Sequence, residues 1–239
     1  MISNIAHSDG QLAAAEVLDL LRSLRQQHAD LRMVLTGSIG LHHVLAEIRA
    51  ANIPSEPVND MFPIDVPPLA RADAESLARD LIAGETLNCP DPNAAAACIA
   101  EESDCFPFYI HHIVNRLRLD QLSAVPASIQ DVVARQLVDA NDPWELSHYN
   151  DRLMVYYKNP QDVLLARAIL DALSYDTDPV PVNSLLPVLN SATPIGDRDQ
   201  VLRMLKLLER DHYLTRDRNG AYQFRFPLVR RWWALERGL

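Results

Sequence analysis

Lysine is almost missing from this 239-residue chain: only Lys158 and Lys206 occur, and neither precedes Ser or Thr. A phosphate-cradling loop of the G-x-x-x-x-G-K-[ST] type needs that lysine on the β/γ-phosphates and that hydroxyl on Mg²⁺. No such loop can be written here. Glycine is scarce, with seven residues, while Ala and Leu abound, and this composition favours helix. No stretch approaches the roughly 18 uncharged apolar residues of a membrane-spanning helix. Met1 to Gly10 carries neither a basic nor an apolar leader region, so no secretory signal is expected. Cys89, Cys98 and Cys105 match no zinc spacing, and their odd number argues against a disulfide framework. Reduced thiols in a cytoplasmic protein are the expectation. The pairs His42-His43 and His111-His112 are adjacent, which points the two rings of each pair to different sides, so no metal is expected. No G-x-S-x-G elbow, H-E-x-x-H helix or Rossmann glycine fingerprint is present, and no catalytic residue can be nominated.

What is present is unevenly charged. The net charge is −10, which argues against a general nucleic-acid binder. Yet residues 198–239 hold ten Arg/Lys and five acids, while residues 1–197 hold twelve and twenty-seven. Such a split points to separate jobs for the two parts.

Hydrophobic spacing predicts a helix from Gln11 to His28, capped by Ser8 or Asp9, then a short strand over Leu31–Thr36. A turn through Gly37-Ser38-Ile39-Gly40 leads into a helix over Leu41–Ala51. Phe62–Val66, inside a proline-rich stretch, fits an edge strand, where proline is tolerated. Short helices follow from Asp73 to Ala83, from Ala94 to Glu102 (capped by Asn93), from Pro107 to beyond Leu117, and from Ile129 to Ala140 (capped by Ser128). Trp144–Tyr157 reads as a helical linker. Helices over Asp162–Leu173, Asn183–Leu189 and Asp197–Arg210 come next. Asn219-Gly220 between alternating apolar runs is the strongest local hairpin signal, and Leu228–Arg237 closes the chain as a helix. Three helices, a two-stranded wing and a final helix make a winged-helix order.

Three blocks together resemble one family. Leu31–Leu41 (LRMVLTGSIGL) is similar to the fourth core strand and sensor-1 turn of prokaryotic AAA+/STAND-type ATPases of the archaeal replication-initiator-like group. Phe106–Leu117 (FPFYIHHIVNRL) resembles the helix after the second sensor in the lid. Leu207–Trp233 resembles the group's winged helix and its basic-aromatic end. The blocks occur in the family's order, but Walker A and Walker B have no counterpart. The resemblance implies a mainly α fold with a small α/β part: a partial core remnant over residues 1–69, a helical lid over 70–142, and a linker helix with a winged helix over 143–239. It marks Thr36 or Ser38, and Pro107, as nucleotide-sensing candidates. Ser38 equally fits a helix cap. Where the group's lid reads Gly-x-Pro, Asp104-Cys105-Phe106-Pro107 stands without glycine.

Arg198, Arg203, Lys206 and Arg210 on the third helix, with Arg216, Arg218 and Arg225 on the wing, are the DNA-phosphate candidates. The same residues fit a solvated helix face or an interdomain contact. The resemblance implies a binding or regulatory protein without independent ATP hydrolysis. It also implies a partner or self-association through the incomplete core, and no membrane. ATP and Mg²⁺ enter only if a Walker A/B half is supplied, as in the C-terminal part of a split ATPase. A winged-helix DNA-binding regulator is the third reading.

Overall fold

The computed structural model describes residues 2–36, 41–192 and 197–239, without the side chains of residues 3, 191 and 192. Its described residues are mainly helical, with one small antiparallel sheet. They divide into two compact units, Met1–Val66 and Pro67–Leu239.

The first unit contains α1 (Ile2–Ser8), α2 (Gln11–Gln27) and α3 (Leu41–Ala50). Ala6, Ala14, Ala15, Leu18, Val44 and Ile48 form its core. The small alanines let α1 and α2 approach closely, and Ile48 is fully buried. Helix α2 starts at Gly10 (φ 92°) with no side-chain cap. Ser8 instead donates to the Asn4 carbonyl and the Asp9 carboxylate at the end of α1, so neither Ser8 nor Asp9 caps α2 as expected. The far end of α2 fastens the loop after α3: Arg25 donates to the Pro57 carbonyl and to Asp60, and Arg22 donates to the Glu56 carbonyl.

The two strands expected in this unit are not formed. Residues 31–36 and 62–66 adopt no regular secondary structure, and Val34 is 77% exposed. A strand exists only where a neighbour takes its N–H and C=O groups, and the described residues of this unit offer none.

The second unit begins with α4 (Arg71–Gly84), α5 (Pro92–Glu102), α6 (Pro107–Leu119) and α7 (Pro126–Leu137). Their apolar stripes meet around Ala78, Ala96, Ile99, Ile110, Ile113, Leu117, Ile129 and Val133. Asp91 rather than Asn93 caps α5, accepting from the Asn93 and Ala94 amides, with Pro92 at the first helical position. Helix α7 starts two residues before Ser128, which provides no cap. Asp142 accepts from the Leu146 and Ser147 amides and leads into α8 (His148–Tyr156). Trp144, 1% exposed, packs beside Tyr109.

The remainder runs α9 (Pro160–Ser174), α10 (Val182–Ala192), α11 (Arg198–Arg210), β1 (Leu214–Arg216), β2 (Tyr222–Phe224) and α12 (Pro227–Arg237). In the hairpin, Leu214 faces Phe224 and Arg216 faces Tyr222. Val180, between α9 and α10, adds a bridge to Tyr222 from the other side. Asp217 holds the turn by accepting from the Asn219 and Ala221 amides. Gly220 has φ 84°, a left-handed backbone that favours glycine, and a Cβ there would lie 3.1 Å from the movable Arg216 guanidinium. Helix α12 packs on α9, where Asp171 accepts from the Trp233 indole N–H and from two Arg237 nitrogens.

Candidate nucleic-acid interface

Helix α11 is positioned by its two ends and one face. Asp197 caps it by accepting from the Gln200 amide. Val201, Met204, Leu205 and Leu208 are buried, and the helix packs on α9, α10 and β1. Burying that stripe turns the opposite one outward, and Arg203, Lys206 and Arg210 follow it at three- and four-residue spacing. All three are exposed, and among the described residues none has a carboxylate partner. Asp199 lies one turn before Arg203 on the same stripe without pairing to it.

The other four basic candidates differ. Arg198 is exposed but donates to the Asn183 side chain of α10 at 2.8 Å, which ties α11 to α10. Arg216 lies over the Tyr222 ring at 5.7 Å. Arg225 lies 2.6 Å from His212 Nδ1 and over the Phe226 ring. Arg218, in the hairpin turn, is exposed and has no partner among the described residues. The structure thus leaves Arg203, Lys206, Arg210 and Arg218 as outward cations and uses the other three to hold the module together.

The nucleotide-sensing candidates are not gathered into a site. Thr36 is exposed and lies outside any helix or strand. Ser38 lies outside the described residues. Pro107 is exposed in the first turn of α6, where its missing N–H costs nothing.

Beside Pro107 stands a joint that sequence reasoning did not find. Asp104 and Cys105 both have left-handed backbones, φ 49° and 59°. This sharp turn carries the Asp104 carboxylate to the start of α12, where it accepts from the Leu228 amide at 2.7 Å. Burial pushes its pKa up to about 6, against the pull of the Leu228 N–H and of Arg231. Arg231 pairs with Glu102, and Phe106 meets Phe226 edge to face at 4.6 Å. A cleft of about 440 Å³ opens beside the joint, with Arg71, Cys105 and Arg225 on its walls. Burial raises the Cys105 thiol pKa, against the pull of the nearby Arg71 guanidinium. The only prior sign of the joint was the missing glycine at 104–107.

No family model, curated protein or solved structure matches the chain. Among the described residues, no helix is long and apolar enough to cross a membrane.

Proposed function

We propose that residues 160–237 form a winged helix that docks α11 on duplex nucleic acid, in a protein that binds or regulates rather than hydrolysing ATP by itself. The observation that carries this reading is the unpartnered stripe of Arg203, Lys206 and Arg210 on a helix whose opposite face is fully buried. The order helix, Val180 bridge, helix, helix, hairpin is that of a winged helix, with the bridge in the place of its short first strand. Phosphates would neutralise the stripe and release counterions, giving affinity that falls steeply with salt.

The test is fluorescence anisotropy of a labelled DNA duplex of about 30 base pairs, titrated with the full chain between about 50 and 200 mM salt. Binding with a log–log salt slope of about −3 or steeper is the expected result. No binding at the lowest salt sinks the reading.

The joint at Asp104 favours a second reading, a P-loop-less AAA+/STAND-like regulator in which α4–α7 and the C-terminal module act as one piece. Contacts from Glu102, Asp104 and Phe106 to α12 and its preceding residue support it. Calorimetric titration of Mg·ATP into the chain checks it. Tight binding by the chain alone would overturn it.

A further inference from the structure

The outward stripe of α11 carries one acid. Asp199 in the first turn, then Arg203, Lys206 and Arg210, fall within an arc of about 60° opposite the buried Val201, Met204, Leu205 and Leu208. Asp199 is exposed, and among the described residues it has no hydrogen bond or ion pair. It does not cap the helix, because Asp197 does. Its neighbour Arg198 donates to Asn183 of α10 and does not neutralise it. Arg203, one turn on, stands at the spacing of an ion pair and makes none with it.

An unpaired carboxylate on that face repels every phosphate it meets, so it lowers affinity for duplexes in general. In the major groove it meets base edges, and there one edge suits it. A carboxylate only accepts hydrogen bonds. Guanine presents two acceptors in the groove, and thymine an acceptor and a methyl group. Adenine presents an amino group with the N7 acceptor beside it. Cytosine presents its N4 amino group alone. The residues of a docked helix that reach base edges are those at its N-terminal end. Asp199 stands at that end of α11, with Lys206 and Arg210 two and three turns further along.

We propose, on the reading that α11 docks on duplex DNA, that Asp199 determines which sequence is taken: its carboxylate accepts from the N4 amino group of a cytosine in the major groove. A duplex with another base at that place leaves the carboxylate unsatisfied beside acceptors and phosphates. The cations of the stripe then supply affinity for any duplex. The single acid supplies discrimination, as a repelling charge that only the right base relieves.

The test is selection by the full chain from a pool of DNA duplexes randomised over one helical turn, with sequencing of the bound fraction. Wild type should enrich a C·G pair about tenfold at one position. Asp199→Ala should lose that preference, keep any preference at other positions, and bind the unselected pool more tightly. Asp199→Asn offers an amide that fits N6 and N7 of adenine, and should move the preference at that position to A·T. Asp199 also lies favourably on the helix dipole. That role alone would leave base preference intact in both variants and shift only the urea midpoint, which would overturn the proposal. Duplex binding by wild type without C·G enrichment overturns it too, and leaves α11 as a phosphate-binding face that does not select sequence. No binding to any member of the pool removes the duplex reading itself, and the proposal with it.

Discussion

Arginine is used in two different ways along this chain. Between α4 and α7 every arginine has a carboxylate partner: Arg71 and Arg79 with Glu75, Arg116 and Arg135 with Asp120, and Arg118 with Glu85. On α11, Arg203, Lys206 and Arg210 have none among the described residues. The first group spends its charge within the fold. The second leaves it facing solvent, where it sums into a positive potential that attracts anions. An acidic chain can therefore carry a basic working surface, provided its other cations are locally neutralised.

The largest effect should come from erasing that difference. Changing Arg203, Lys206 and Arg210 together to Ala should weaken duplex binding by about a hundredfold at about 100 mM salt and flatten the salt slope by about 2.7. Urea stability should stay within about 0.5 kcal/mol of wild type, because all three are surface residues. The matched control changes Arg71, Arg116 and Arg118, removing the same charge from the paired region. Anisotropy should show its duplex affinity nearly unchanged. An equal loss in both variants would break the comparison, since net charge alone would then explain binding.

The next effect tests where pairing is strongest. The Glu102 side chain is 13% exposed and Arg231 36%, so this pair is more sheltered than those on α4–α7. Glu102→Ala leaves Arg231 without its carboxylate at the joint and should cost about 2 kcal/mol, read from the urea midpoint. A cost below about 0.5 kcal/mol would place this pair with the ordinary surface pairs.

Asp104 should behave in the opposite sense. Its pKa of about 6 in the folded protein exceeds that of an unfolded aspartate, near 3.8. The folded state therefore holds the proton more tightly than the unfolded state. The contribution of Asp104 to stability should be fully present below about pH 4, be lost as pH rises toward about 6, and stay lost above. Asp104→Asn keeps an oxygen for the Leu228 amide and removes the buried charge. It should flatten that slope and raise stability at pH 7 by about 1–2 kcal/mol. Thermal unfolding across pH 4–8 measures both. A variant with the wild-type slope would mean that another group titrates.

These predictions rest on features that were unequally legible in the sequence. Helix α11 could be read directly, because Asp197 is a local cap and its apolar residues repeat at helical spacing. The hairpin could be read too, because Asn219-Gly220 acts within four residues. Caps beside proline were misplaced by two residues at α5, where Asp91 before Pro92 outcompeted Asn93. Residues 31–36 have strand composition but no strand, because pairing depends on a neighbour that local composition does not supply. The Asp104 joint spans 124 residues of sequence, and no local pattern encodes a bond of that range. Whether an arginine is paired is equally invisible: Arg118 and Arg203 both sit on amphipathic helices, and only the packing gives Glu85 to the first.

The smallest expected effect sharpens what pairing means in the α4–α7 region. Arg135 reaches both Asp120 on α6's boundary and Asp131 on its own helix, at 3.2 and 3.0 Å. Its side chain is 46% exposed, so water and salt screen both contacts. Arg135→Ala should cost about 0.5 kcal/mol at low salt, and the cost should vanish near 1 M salt. Asp120 keeps Arg116 in either case, which leaves no carboxylate stranded. A loss above about 2 kcal/mol would mean that these pairs hold the helices together. The expected small loss would mean that their main consequence is electrostatic: they cancel charge on α4–α7 and leave α11 as the outward positive surface.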